Sequence, residues 1–466
     1  MSFTTHAFLL LFLPLALLAY YNLFKTARGK MFFLLAASYG FFALAGLEYI
    51  PVLLGLSLST FFFAKKNWFL SAILLNLGAL ALFKYWNFGA ENFNALADIF
   101  GFGFAVNLLA LGLPLGISFF VFKHISYLLD IQAGRYPASE DLWTFLTFSA
   151  YFPQISAGPI SNFKDTATQF LNLPQHLESE QVTSGLVHFS MGLAKKVLIA
   201  NQIGTLIDAA LSTSVIEGML PAWYIVIAYA VQLYFDFSGY TDIALGISAL
   251  FGVKLPPNFN SPYLATNPAE FWERWHMSLS NWFRVYLFSP LSRSLLRKWG
   301  SDKREWGQYM ANFITMTLVG LWHGASWSYL LWGFYHGLLL NISAGSKRAG
   351  YQLPPLISRI LFTISILLGW AIFMSPDAGF LRDLLQSLSG MQGLGELDML
   401  NSLVTSKATP AILVGILLAF SGRSEAASLF QDGQQIPSQR FFLWGLLTAI
   451  CILLMGQFQE FIYVDF

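Results

Sequence analysis

Seven histidines occur in this 466-residue chain, and three of them stand where an imidazole could do chemistry. Two close His-Gly pairs in Gly320-Leu-Trp-His-Gly-Ala-Ser-Trp-Ser-Tyr-Leu-Leu-Trp-Gly-Phe-Tyr-His-Gly337, inside a run from Trp306 to Ser346 without Asp, Glu, Lys or Arg. If a helix leaves the cytoplasmic face near Trp306, Leu321 lies roughly 21 Å along it at ~1.5 Å per residue, so His323 falls within the bilayer thickness. An ionisable side chain at that depth must face protein or a water-filled cavity. A neutral imidazole there can act as a general base toward a hydroxyl. The same residue can instead pack, hydrogen-bonded to a neighbouring helix. His336 lies nearer the basic end marked by Lys347 and Arg348, where a supporting or packing role suits it.

The third histidine, His276, sits in Phe-Trp-Glu-Arg-Trp-His-Met-Ser-Leu-Ser-Asn-Trp-Phe. Trp272 and Ser280 lie one helical turn to either side, so His276 borders an aromatic stripe and can point inward or rest among headgroups. Two acids, Asp236 and Asp242, end an otherwise uncharged run. Six residues apart, they do not share a helical face, and Ser238-Gly239 is expected to break the helix between them. Such acids either relay protons or bind substrate, or form structural caps and ion pairs. No Ser-His-Asp elbow, phosphate loop or zinc helix is present; a base without an enzyme nucleophile implies direct transfer.

These groups must be positioned by membrane helices. The chain is 56% hydrophobic, 17% aromatic and 11% charged, far below the roughly 25% charge of soluble domains. Apolar runs recur at 1–24, 31–47, 49–64, 67–83, 99–122, 221–235, 306–346, 360–376, 408–422 and 441–459. At ~20 residues per crossing they suggest about 9 to 12 membrane helices, some broken or re-entrant, in an all-α polytopic protein. Residues 1–466 read as a single membrane domain, because the longest polar stretches, 161–185 and 422–440, are too short for a core of their own. Pro153, Gly158 and Pro159 interrupt an apolar run and suggest a buried re-entrant loop. No convincing internal repeat is visible, which disfavours an inverted-repeat transporter.

Lys25, Arg28 and Lys30 follow the first apolar run, which reads as a retained crossing with its N-terminus outside. The most basic segment, 291–304, is expected in the cytoplasm. Asn267-Pro268-Ala269-Glu270 is a helix start, and the helix that follows, 268–288, is expected to lie along the membrane surface. A net charge of +1 gives no case for a nucleic-acid partner, and the lone Cys451 excludes an internal disulfide framework or a Cys metal cluster.

Long stretches of the chain resemble the membrane-bound O-acyltransferase superfamily, most closely its bacterial alginate O-acetylation branch. The resemblance is carried by FKYWNFG, LPLGISFFVFKHISYLLDI, YFPQISAGPI, LYFDFSGYTDIALGISALFG, NFNSPYLATNPAEFWERWHMSLSNWFRVYLF, GLWHGASWSYLLWGFYHG and the closing FIYVDF. It implies a helical bundle of the inner membrane around a tunnel, with His323 as catalytic base and His276 as the second active-site histidine. Trp275, Trp322, Asp236, Tyr240 and Ser280 are the expected tunnel or substrate-binding residues. The implied donor is a cytoplasmic acyl thioester such as acetyl-CoA, with no bound cofactor or metal. The implied acceptor is an extracellular or cell-wall polysaccharide such as alginate, reached directly or through a periplasmic acetyltransferase partner.

Two departures qualify the acceptor. Val285 stands where the family usually has an acid, and PLSRSLLRKW replaces the glycine-rich segment of the alginate branch, resembling the D-alanyl-transfer proteins instead. A D-alanyl or other acyl group from a carrier-protein thioester is therefore an alternative, with Arg297 and Lys298 as candidate docking residues for an acidic acyl carrier protein. A polysaccharide or lipid transporter using Asp236 and Asp242 is the alternative of a different class.

Overall fold

The computed structural model describes residues 3–212, 216–351, 353–422, 438–456 and 461–462. Tyr463 to Phe466 of the closing motif and most of the polar stretch 422–440 lie outside the described residues. Those described form an all-helical molecule with no strand.

The helices are α1 (Leu13–Asn22), α2 (Ala27–Ala43), α3 (Ile50–Lys65), α4 (Phe69–Leu80), α5 (Trp86–Phe100), α6 (Ile117–Gln132), α7 (Leu142–Ala150) and the single turn α8 (Phe152–Ile155). Then come α9 (Phe163–Leu171), α10 (Ser179–Ala194), α11 (Asn201–Ser212), α12 (Met219–Leu250), α13 (Pro268–Arg274), α14 (Met277–Phe283) and α15 (Ser289–Trp299). The chain continues through α16 (Arg304–His323), α17 (Trp327–Arg348), α18 (Pro355–Met374), α19 (Ala378–Leu388), α20 (Leu397–Val404), α21 (Thr409–Ser421) and α22 (Ser438–Leu454).

Among the described residues, four helical spans are long and apolar enough to cross a membrane by themselves: Leu47–Lys65, Phe69–Phe100, Met219–Leu250 and Pro355–Met374. The α20–α21 pair, bent by 69°, makes a fifth if it is one span. Other apolar runs in the sequence are divided between elements. The run 99–122 holds a non-helical stretch at 101–116, and 306–346 folds back on itself as the α16–α17 hairpin.

Helix α12 is the spine, and the expected break at Ser238-Gly239 is absent: the helix runs unbroken from Met219 to Leu250. Gly239 serves close approach instead. A Cβ on Gly192 of α10 would lie 2.6 Å from the Gly239 carbonyl oxygen, and one on Gly246 would lie 2.6 Å from the Phe189 amide nitrogen. Small residues let the two backbones meet without a hydrophobic driving force between helices. Gly192→Val is expected to destabilise the protein by about 1–3 kcal/mol or more, because backbone and not a flexible side chain must move; the midpoint of thermal unfolding in detergent measures it.

The flanking charges are not all superficial. Lys30 is fully buried, its Nζ donating to the carbonyls of Pro174 (2.6 Å) and Gln175 (2.9 Å) and lying 4.5 and 4.2 Å from the Tyr20 and Tyr21 ring centres. It ties α2 to the segment before α10, so only Lys25 and Arg28 of that trio remain exposed.

The expected single surface helix at 268–288 is also corrected. It is broken into α13 and α14 at Trp275-His276, where His276 takes φ 42°, ψ 53°. Trp275, His276 and Leu279 are fully buried, and Trp282 is nearly so. The aromatic stripe that suggested a headgroup layer faces protein, because α18 presents Trp370 to it, 4.9 Å from the Trp275 ring centre.

Candidate active site

His323 is the last residue of α16 and is 1% exposed. Gly324 then turns the chain in an extended conformation, and Ser326 caps α17 by accepting the Tyr329 amide at 3.4 Å. Glycine is required on both sides: a Cβ on Gly320 would sit 2.2 Å from the Tyr329 carbonyl oxygen, and one on Gly324 2.2 Å from its ring. The imidazole stands among rings, with centroids at 5.0 Å to Trp322, 5.1 Å to Trp332 and 5.3 Å to Phe373.

Forty-seven positions upstream, His276 comes to the same place. Its ring centre is 6.1 Å from Trp322 and 4.6 Å from Phe237 of α12. Trp322 thus touches both histidines.

The left-handed backbone at His276 is held by neighbours that sequence patterns did not flag. The Asn258 carbonyl accepts from the Met277 amide at 2.8 Å, and its Oδ1 accepts from the Ser278 amide (3.1 Å) and hydroxyl (2.7 Å). The Asn260 amide donates to the Arg274 carbonyl at 3.0 Å. Ser278 Oγ in turn accepts from Ile160 N at 3.0 Å, which joins α14 to the loop after α8. That loop is buried as expected, residues 151–161 being buried throughout. Gln154 folds it by donating to the Pro159 carbonyl (2.7 Å) and Ser161 Oγ (3.0 Å). A non-glycine residue in this backbone region is strained and persists only when its surroundings over-determine it. Asn258 carried no sequence signal; it gains its role only from tertiary proximity.

The remaining expected residues divide into two groups. Ser280 lines a cavity of about 510 Å³ with Trp272, Arg284, Thr315 and Val319, while its Oγ donates to the Trp275 carbonyl at 3.1 Å. Trp275 itself lies in an aromatic stack with Phe271 (14° between planes) and Trp370. Asp236 and Tyr240 are not brought to the histidines. Asp236 Oδ1 meets Lys196 Nζ at 2.6 Å and Oδ2 accepts from Ile462 N at 2.8 Å, whereas Tyr240 hydrogen-bonds Ser156. Asp242 pairs with Lys195 at 2.6 Å and His188 at 3.3 Å. Both acids are therefore engaged in ion pairs linking α12 to the turn after α10.

His336 occupies an aromatic cage of Trp332, Trp272 and Tyr335, with centroids at 4.7, 5.2 and 5.7 Å. Neither ring nitrogen has a hydrogen-bond partner among the described residues, and Nε2 would lie 3.0 Å from a Cβ on Gly369. It packs. A second, more polar cavity of about 840 Å³ lies across α14 from the first and includes Val285, Lys164, Lys254, Arg135 and Asp130. Asp130 accepts from Tyr286 at 2.9 Å and pairs with Arg135, so an acid lies beside Tyr286 although position 285 is valine. Met277 and Asn281, one and five residues after His276, line both cavities.

The sequence profile of the MBOAT, membrane-bound O-acyltransferase family matches residues 139–349, which include both histidines. Over 439 residues the chain is 34% identical to the probable alginate O-acetylase of Pseudomonas aeruginosa, covering 91% of this chain and 81% of that one. The chain belongs to the membrane-bound O-acyltransferase family. It is also 32% identical to the peptidoglycan O-acetyltransferase of Helicobacter pylori, over 85% of this chain and 81% of that protein. The teichoic acid D-alanyltransferase of Bacillus subtilis is 29% identical over 66% of this chain and 87% of its own length. This membrane-bound O-acyltransferase is thus a polytopic membrane enzyme that transfers acyl groups to hydroxyl oxygen.

Proposed function

We propose that this enzyme carries acetyl groups from acetyl-CoA toward hydroxyls of an extracellular or cell-wall polysaccharide, with His323 as general base. The observation that carries this reading is the convergence of His323 and His276 around Trp322 in the buried core, one on a helix end and the other on a strained turn. The acceptor hydroxyl oxygen attacks the thioester carbonyl carbon while His323 takes its proton. The C–S bond then breaks, and the imidazolium returns the proton to the leaving thiolate. Burial excludes the bulk water that would otherwise hydrolyse the thioester.

Two features support a donor entering along α14. The 510 Å³ cavity runs beside Thr315, Met316 and Val319, the α16 residues that lead toward His323. The 840 Å³ cavity carries Lys164, Lys254 and Arg135, which suit the phosphates of a CoA-type donor. In this reading 291–304 lies in the cytoplasm of a bacterial inner-membrane protein, the donor enters from that side, and the acceptor approaches from outside, directly or through a periplasmic partner acetyltransferase. Polysaccharide acceptors are named for relatives acting on alginate and peptidoglycan. Membranes containing the protein are expected to transfer label from acetyl-CoA to such a polymer; transfer that persists in full in a His323→Ala variant would remove the base assignment.

A second donor reading has its own observation. Arg297 and Lys298 stand exposed in the last turn of α15, and a relative transfers D-alanine to teichoic acid. If an acidic carrier protein delivers the acyl group, Arg297→Glu with Lys298→Glu should lower transfer from the carrier by about tenfold, through a slower on-rate. Transfer from free acetyl-CoA should be unchanged. Equal sensitivity of both donors, or of neither, would exclude docking there.

A further inference from the structure

The motif FKYWNFG takes no part in the chemistry described above, yet it places a lysine at the catalytic helix end. Helices α4 and α5 form one 32-residue span, and the five residues Ala81–Tyr85 at its middle are wound as a π-helical turn. Such single widened turns are frequent at functional sites. Here the turn directs two consecutive side chains at α16. Tyr85 Oη donates to the Leu321 carbonyl at 2.8 Å, and Lys84 Nζ donates to the Trp322 carbonyl and, at 3.3 Å, to Ser118 Oγ of α6. Lys84 Nζ also lies 5.6 Å from the centre of the Trp322 ring.

The end of α16 needs such partners. The last carbonyls of a helix have no intrahelical donor, and many helices satisfy them by turning the chain back through a left-handed residue. Gly324 is extended instead, at φ −168°, ψ 154°. The carbonyls of Leu321 and Trp322, the two residues before His323, are satisfied from another helix. A lysine half-way along a membrane span is costly unless it has a task.

We propose that Lys84, supported by Tyr85, is a positioning residue that fixes the end of α16 and thereby the aim of the His323 imidazole at the reacting hydroxyl. Lys84 lines neither cavity along α14, so it governs the chemical step and not donor binding. The inference rests on His323 being the base.

The test measures kcat and KM with radiolabelled acetyl-CoA on full-length protein in membranes. Misplacement of a catalytic group by about 1 Å costs up to ~100-fold in rate. Lys84→Met is expected to lower kcat by at least about tenfold with KM for acetyl-CoA within about threefold of wild type, and Lys84→Arg to restore most of the loss. Tyr85→Phe, which removes one hydroxyl and keeps the ring, should lower kcat by about threefold or more even if Lys84→Met fails to accumulate. Wild-type kcat in either Lys84→Met or Tyr85→Phe overturns the proposal, as does a change confined to KM. His323→Ala measured in parallel separates the two readings: an active His323→Ala defeats the base, whereas an inactive one beside an unimpaired Lys84→Met defeats only the positioning role.

Discussion

Replacing His323 with alanine is expected to lower acetyl transfer by about a hundred- to ten-thousand-fold, the range that a positioned general base contributes. The protein should still accumulate, because the substitution removes a single ring packed among Trp322, Trp332 and Phe373. KM for the donor should change little, since both cavities are lined by other residues. His336 provides the control. It is equally buried and only thirteen residues away, but its aromatic cage gives it no route to substrate. His336→Ala should lower stability by opening a cavity while leaving most of kcat. Quantitative transfer assays with protein levels measured by blot distinguish the two variants.

The second large effect is on stability. Lys196 and Asp236 form an ion pair at 2.6 Å with both side chains 2% exposed. Removing one partner of such a pair leaves an uncompensated buried charge and costs about 3–5 kcal/mol. Lys196→Met is therefore expected to lower the thermal midpoint in detergent sharply, with loss of yield. The double variant Lys196→Met with Asp236→Asn should recover part of it, because Asp236 is then no longer a buried charge without its lysine. Asp236→Asn alone keeps a hydrogen-bonding side chain beside Ile462 and should affect yield more than the catalytic step. If the single and double variants melt together, the pair carries no stability.

Much of the fold was legible because membrane insertion leaves a coarse signature. Long uncharged runs gave the all-helical class, and the histidine in Trp-His-Gly stood out because a charge-capable group deep in such a run needs a reason. The Asn267-Pro268 start of α13 was also readable, with Asn267 accepting the Glu270 amide at 3.0 Å. What sequence could not show were the relations between distant segments. Gly239 looked like a helix breaker because its reason, the α10 backbone against it, lies 47 positions away at Gly192. Asp236 and Asp242 looked available for chemistry because Lys195 and Lys196 approach them from another helix. Trp272, Trp275 and Trp282 suggested an interface because periodicity reports that a face is apolar and not whether lipid or protein covers it. The strained turn at His276 depends on Asn258, which no local pattern distinguishes from a loop asparagine.

The most direct measurement uses the purified full-length protein in proteoliposomes, with radiolabelled acetyl-CoA supplied to one face and a de-esterified glycan to the other. The account predicts label on the glycan as an alkali-labile ester with wild-type protein, and at least a hundredfold less, roughly the lower bound for loss of a general base, with His323→Ala. Equal transfer by the two proteins would contradict it.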